Sequence, residues 1–225
     1  MKEQWCIPPK ANADFVCCRE DVLEVYHRPY DEKRPLVCLD EASRQLIGET
    51  TVPIPPEPGK PERFDYEYVR NGTANLFMIF EPLLGWRHVE GTQRRTAPDF
   101  ARVVRWLVEE VHPDAEKIVL VVDNLNTHCP ASLYKAFEPQ QARDLCERIE
   151  WHYTPKHGSW LNMAEIEISV LQRQALADRI ESQDRMTRII SAWEQERNER
   201  AVLMEWRFTT DGARIKLRAC MKRHS

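Results

Sequence analysis

The stretch KIVLVVDNLNTHCP, residues 117–130, holds five consecutive apolar residues, Ile118 to Val122, that run directly into Asp123. A short unbroken apolar run of this kind reads as a strand buried on both faces. In an open α/β sheet ligands bind beyond the carboxyl ends of the strands, so an acid placed there is aimed at the site. Upstream, RPLVCLDEASRQLIG repeats the pattern: the apolar run Leu36 to Leu39 ends in Asp40. If the two strands are neighbours, both carboxylates come within reach of one divalent cation. Hard oxygen donors of this type suit Mg²⁺ or Mn²⁺ rather than zinc. Asp followed by Asn is also ordinary turn chemistry after a strand, so these two positions alone leave both readings open.

The chain has 225 residues, of which 42% are apolar and 30% charged, enough to close one sizeable core or one domain with appendages. No apolar run approaches the roughly 20 residues of a membrane helix, and the start MKEQWCIPPK lacks the apolar block of a secretory signal. A cytoplasmic location is therefore expected. The seven cysteines form no C-x-x-C pair and are odd in number, which points to reduced thiols filling space. With a net charge of −4, no overall field draws the chain to nucleic acid, so any such contact must come from local patches. The basic end ARIKLRACMKRHS is one, and a solvated tail explains it equally well.

Working outward, residues 1–30 read as a linker or docking arm carrying one short helix, REDVLEVYHRP, stopped by Pro29. The five prolines of VPIPPEPGKP mark an inserted loop or stiff spacer. FDYEYV, ANLFMIFEP and WRHVEGTQRR suggest antiparallel strands, with Gly85 at a turn. TAPDFARVVRWLVEEVHP predicts a helix from the N-cap Thr96 to Pro113. It feeds the 118–122 strand. Two short helices over 130–149, a strand in IEWHYTP, a long helix HGSWLNMAEIEISVLQRQALADRI and a last helix SQDRMTRIISAWEQERNERA follow. The expected fold class is α/β, a mixed sheet with antiparallel strands first and parallel strands after, flanked by helices.

The long helix supplies candidates for a third acid. Its core stripe is Leu161, Ala164, Ile168, Leu171 and Ala175, and Ile166 and Val170 suggest burial on a second side. At about 100° per residue, Glu165 and Glu167 flank that stripe on opposite sides, so either could reach a site at the sheet edge, but not both. Solvated flank glutamates would look the same.

CLDE, VLVVDNLNTH and YTPKHGSWLNMAEIEISVL together resemble the catalytic region of the mariner superfamily of DDE transposases, in its bacterial insertion-sequence branch. The resemblance covers residues from about 20 to 215. It implies an RNase H-like catalytic domain over 31–215, followed by a basic tail at 216–225. It also implies Asp40, Asp123 and Glu165 as catalytic metal ligands, Glu165 being the acid of a motif L-N-x-x-E that reads Leu161-Asn162-Met163-Ala164-Glu165. The chemistry implied is cleavage and strand transfer of DNA with two Mg²⁺ or Mn²⁺ ions and no covalent protein intermediate.

Around this triad, Asn124, Asn126 and His128 follow the second Asp, and Asn124 and His128 are candidates to orient its carboxylate. Lys156, His157 and Ser159 lie near the predicted start of the catalytic helix, where phosphate is favoured, and Trp160 could stack on a base or anchor the core. His27, His88 and His112 read as structural or surface residues. The resemblance implies transposon ends and target DNA, with a TA dinucleotide, as partners, and a homodimer in the active complex. Only 39 residues precede Asp40, too few for the family's helix-turn-helix module, so an upstream DNA-binding polypeptide is a further expected partner. Two alternatives stay open: an inactive or regulatory DNA-binding remnant, and another RNase H-like nuclease.

Overall fold

The computed structural model describes residues 13–63 and 65–214. Five strands, β1 (Leu36–Glu49), β2 (Tyr68–Glu81), β3 (Trp86–Thr92), β4 (Ile118–Val122) and β5 (Ile149–Tyr153), form one sheet in the order β3-β2-β1-β4-β5. The first three pair antiparallel; β4 and β5 join parallel, as expected. Among the described residues it is covered by helices α1 (Ala13–Tyr26), α2 (Ala97–Trp106), α3 (Pro130–Ala136), α4 (Pro139–Glu147), α5 (Met163–Gln174) and α6 (Gln183–Glu199).

The apolar run of β4 is explained by two cores, one on each face of the sheet. Val119 and Val121 join Leu36, Cys38, Met78 and Phe80 beneath α1, α5 and α6. Ile118, Leu120 and Val122 join Val37, Leu39, Phe77 and Ile79 beneath α2, α3 and α4. Successive strand residues point to opposite faces, so a strand covered on both sides has no polar position.

Several elements differ from the sequence expectation. β1 does not end at Asp40; it continues to Glu49, because β2 pairs with it along the whole length from Cys38↔Phe80 to Glu49↔Tyr68. Of FDYEYV only the last two residues enter a strand, and they belong to the same β2 as ANLFMIFE. The predicted 96–113 helix starts as expected, with the Asp99 carboxylate accepting from both the backbone N–H and the hydroxyl of Thr96, then loosens into a π-helical turn over Leu107–Val111. The long helix is shorter than predicted. A 3₁₀ turn at Ser159–Leu161 precedes α5, and α5 ends at Gln174.

The expected arm over 1–30 is part of the fold in its second half. Val22, Leu23, Val25 and Tyr26 of α1 are buried in the first core. Asp21 reaches His152 of β5 at 2.7 Å, which ties the helix to the sheet edge. An amphipathic helix followed by a proline looks the same in sequence whether it docks or dangles. The basic tail expected at 216–225 lies outside the described residues.

Candidate active site

Strand parity brings the two aspartates together. On β1, Leu36 and Cys38 face the α1/α5/α6 side, and Asp40 is the next residue of that parity. On β4, Val119 and Val121 face the same side, and Asp123 follows them. The parallel register ends at Cys38↔Val121, and each aspartate stands two residues beyond its member of that pair. α5 packs over this face and carries Glu165 in its first turn.

Asp40 is 7% exposed and accepts the backbone N–H of Glu41 at 2.8 Å. Burial, with the nearby charges of Asp123 and Glu165 and against the Glu41 hydrogen bond, pushes its carboxyl up to about 7. Glu165 is half-buried, and its Oε2 atom is buried without a hydrogen-bond partner. A carboxylate oxygen left bare beside two other acids is an arrangement that positive charge would relieve.

Asp123 accepts from the Leu125 N–H at 3.3 Å and makes a short hydrogen bond to His128 Nδ1. His128 is fully buried; its Nε2 stands 3.2 Å from Glu41 Oε2, and its ring stacks on Phe100 at 4.7 Å between centroids. Burial alone would lower the imidazole, but the hydrogen bonds to Asp123 and Glu41 raise it to about 9. With a carboxylate at each nitrogen, the imidazolium donates on both sides. Glu41 also pairs with Arg95 at 3.4 Å. Sequence reasoning missed Glu41. It follows Asp40 on the other strand face, and nothing local shows that His128 will close on it from 87 residues away.

Glu167, the rival of Glu165, is fully buried and turned away. It pairs with Arg87 Nε at 3.0 Å and accepts from Arg197 Nε at 2.7 Å and Nη2 at 3.1 Å. Asn162 ends the 3₁₀ turn and caps α5: its Oδ1 accepts from Ala164 N–H at 3.1 Å, while its Nδ2 donates to the Leu39 carbonyl at 2.9 Å.

The remaining candidates separate. Asn124, Lys156, His157 and Ser159 are exposed, and His157 takes a left-handed backbone with φ of 62°. Lys156, His157 and Ser159 stand ahead of or in the 3₁₀ turn rather than at the start of α5, whose first two amides are served by the Tyr26 hydroxyl and the Asn162 side chain. Trp160 is not a free stacking platform: it packs against the first core, with its indole N–H buried.

Among the described residues no three His, Cys, Asp or Glu side chains are drawn together tightly enough to hold an ion. Like charges on Asp40, Asp123 and Glu165 repel one another, and Asp123 commits an oxygen to His128. The donor set still fits a hard divalent cation, since it is all carboxylate oxygen and includes the unpartnered Glu165 Oε2.

Residues 35–187 match the family model described as DDE superfamily endonuclease. No curated protein matches. Among solved structures, the fold is similar to that of the Mos1 transposase in a paired-end complex with left transposon end, with 15% identity and a TM-score of 0.55 over 90% of this chain and 62% of that chain. A pre-cleavage Mos1 transpososome matches with 14% identity and a TM-score of 0.55, over 90% of this chain and 65% of that one. The catalytic domain of Mos1 mariner transposase matches with 14% identity and a TM-score of 0.50, over 87% of this chain and 96% of that domain. The chain thus spans about 62% of the length of the first of these transposases, and nearly all of the isolated catalytic domain. The sheet and its helices are RNase H-like, as expected.

Proposed function

Because this chain belongs to the DDE superfamily of endonucleases, we propose that it is the catalytic part of a transposase, cutting DNA at transposon ends and joining them to a target. The observation that carries the reading is the shared face of the sheet. Asp40 and Asp123 sit at equivalent steps of neighbouring parallel strands, under a helix that offers Glu165 with an unpartnered oxygen.

Asp40, Asp123 and Glu165 would hold Mg²⁺ or Mn²⁺, in a pair. When bound, such ions activate the attacking water or 3′-hydroxyl and stabilise the leaving oxygen. The chain's own residues do the positioning. Asp123 is delivered by a buried strand that leaves it little freedom. His128 steers one Asp123 oxygen through its hydrogen bond, and Glu41 balances the imidazolium from behind. The exposed Lys156, His157 and Ser159 support contacts to DNA phosphates on the approach to α5, and Asn124 is available beside Asp123.

The catalytic domain in this reading runs to about residue 215 and includes α1, with the basic tail at 216–225 on DNA. Its partners are transposon ends and a TA-containing target, a second copy of the chain, and an upstream helix-turn-helix polypeptide. The related transposase was solved in a paired-end complex, which supports end pairing here. No helix among the described residues is long and apolar enough to cross a membrane. The reading places the protein in the bacterial cytoplasm, at the nucleoid when active.

The test is incubation with duplex oligonucleotides in Mg²⁺ or Mn²⁺, with products resolved by length and end chemistry. Metal-dependent nicks leaving 3′-hydroxyl ends, absent in Asp123→Ala and Glu165→Gln, are expected. Cutting confined to RNA–DNA hybrids would favour the nuclease alternative, and nicking that survives both substitutions would overturn the site.

A further inference from the structure

Three consecutive residues just ahead of Glu165 are held by groups from elsewhere in the chain. The Tyr26 hydroxyl, fully buried on α1, donates to the Leu161 carbonyl at 2.7 Å and receives the Met163 N–H at 3.3 Å. Between them, the buried Asn162 amide donates to the Leu39 carbonyl and caps α5 through Ala164. The Leu39 carbonyl belongs to the peptide bond that carries Asp40. Parallel pairing with β4 stops one residue earlier, at Cys38, so the Asn162 amide serves a β1 carbonyl just past the point where that pairing ends.

We infer that Asn162 and Tyr26 are positioning residues that fix the distance and angle between Glu165 and Asp40. This rests on the proposed reading of the triad. The chemistry of the amide is specific. Asn162 must donate to a carbonyl and accept from an N–H at once; Asp and Ser can cap the helix but cannot reproduce that donor with the same reach, and Asp adds a fourth charge. Tyr26 ties the same entry to α1, its one hydroxyl donating to the Leu161 carbonyl and accepting from the Met163 N–H. Asp40 and Glu165 are 125 residues apart in sequence, and these bonds reduce the gap to one side chain. α1, which reads as an arm in the sequence, thereby becomes part of the catalytic frame.

The test compares wild type with Asn162→Ser, Asn162→Asp, Tyr26→Phe and Glu165→Gln. Each is checked for cooperative unfolding, then titrated with Mn²⁺ by calorimetry and assayed for nicking against metal and DNA concentration. The expected result is Mn²⁺ affinity about 10-fold weaker or worse in both Asn162 variants and in Tyr26→Phe, in the range for residues that orient metal ligands. The DNA KM should not move. Because Ser and Asp are good caps, recovery of wild-type Mn²⁺ affinity in Asn162→Ser or Asn162→Asp would reduce Asn162 to a helix cap and overturn the inference. Failure of the functional reading looks different: Mn²⁺ binding is absent in wild type or unchanged in Glu165→Gln. In that case amide exchange at 163–166 decides, and protection in Asn162→Ser and Tyr26→Phe equal to wild type overturns the frame.

Discussion

Glu167 and Arg87 meet as an ion pair at 3.0 Å with both side chains fully excluded from water. Arg197 closes on the same carboxylate, and Arg87 also lies over the Phe80 ring at 5.2 Å. Two residues earlier in the helix, Glu165 keeps a buried oxygen without a hydrogen-bond partner, and its charge acts on Asp40. Glu167 belongs to the architecture; in the proposed reading Glu165 belongs to the chemistry, and the two should then respond oppositely to substitution.

Glu167→Gln is expected to destabilise the fold by about 3–5 kcal/mol, since it leaves two arginines partly uncompensated in the interior. Glu165→Gln should unfold at or slightly above the wild-type denaturant midpoint while losing Mn²⁺ binding. Urea unfolding of both variants checks this. Equal loss of stability in the two would refute the division of roles.

His128→Asn should lower Mn²⁺ affinity by about 10- to 100-fold, because Asp123 loses the group that orients it. Glu41→Gln should act in the same direction and more weakly, because it reaches Asp123 only through His128. Calorimetric titration of the single and double variants tests the relay. Additive effects would mean that the two residues act independently.

Lys156 and Trp160, four residues apart, should also separate. Lys156→Ala is expected to weaken DNA binding uniformly across sequences and reduce the log–log salt slope by about 1. Trp160→Ala should cost about 3–5 kcal/mol of stability or somewhat less, given its partial burial in the first core, and leave the salt slope unchanged. A DNA-binding defect in folded Trp160→Ala at full stability would restore the stacking role.

Glu150 offers a test by pH. Burial would raise its carboxyl, but Arg28, His152 and Arg34 hold it down to about 2, below the ordinary 4.5. A group whose folded value is depressed adds stability that is complete above its unfolded value and lost as pH falls through the folded one. The contribution should therefore fade between about pH 4.5 and 2. Unfolding followed from pH 6 to pH 2.5 should show a smaller acid-side loss in Glu150→Gln than in wild type; identical slopes would exclude this cluster as an anchor of β5.

The order of strands and helices, the buried character of β4 and the placement of Asp123 at its end were legible in the sequence. Each follows from short-range pattern: apolar runs, a capping threonine, prolines at boundaries. The resemblance of CLDE, VLVVDNLNTH and the L-N-x-x-E segment pointed to Asp40, Asp123 and Glu165 as the proposed triad. Strand parity was legible in principle too, but only once β1 and β4 are known to be neighbours in parallel register.

Tertiary structure decided what depends on groups distant in the chain. β1 runs past Asp40 because β2 pairs with its polar half, and no local signal in EASRQ marks that partner. The helical wheel set Glu165 and Glu167 symmetrically about the core stripe; Arg87 from β3 and Arg197 from α6 break the symmetry by claiming Glu167. The docking of α1, the closure of His128 on Glu41 and the bond from Asn162 to Leu39 likewise join residues 87 or more positions apart. By itself the sequence determined the local elements and the kinds of side chain available. The pairing of those side chains came from packing, because burial makes an unpartnered charge or carbonyl costly and so favours a partner wherever the fold brings one within reach.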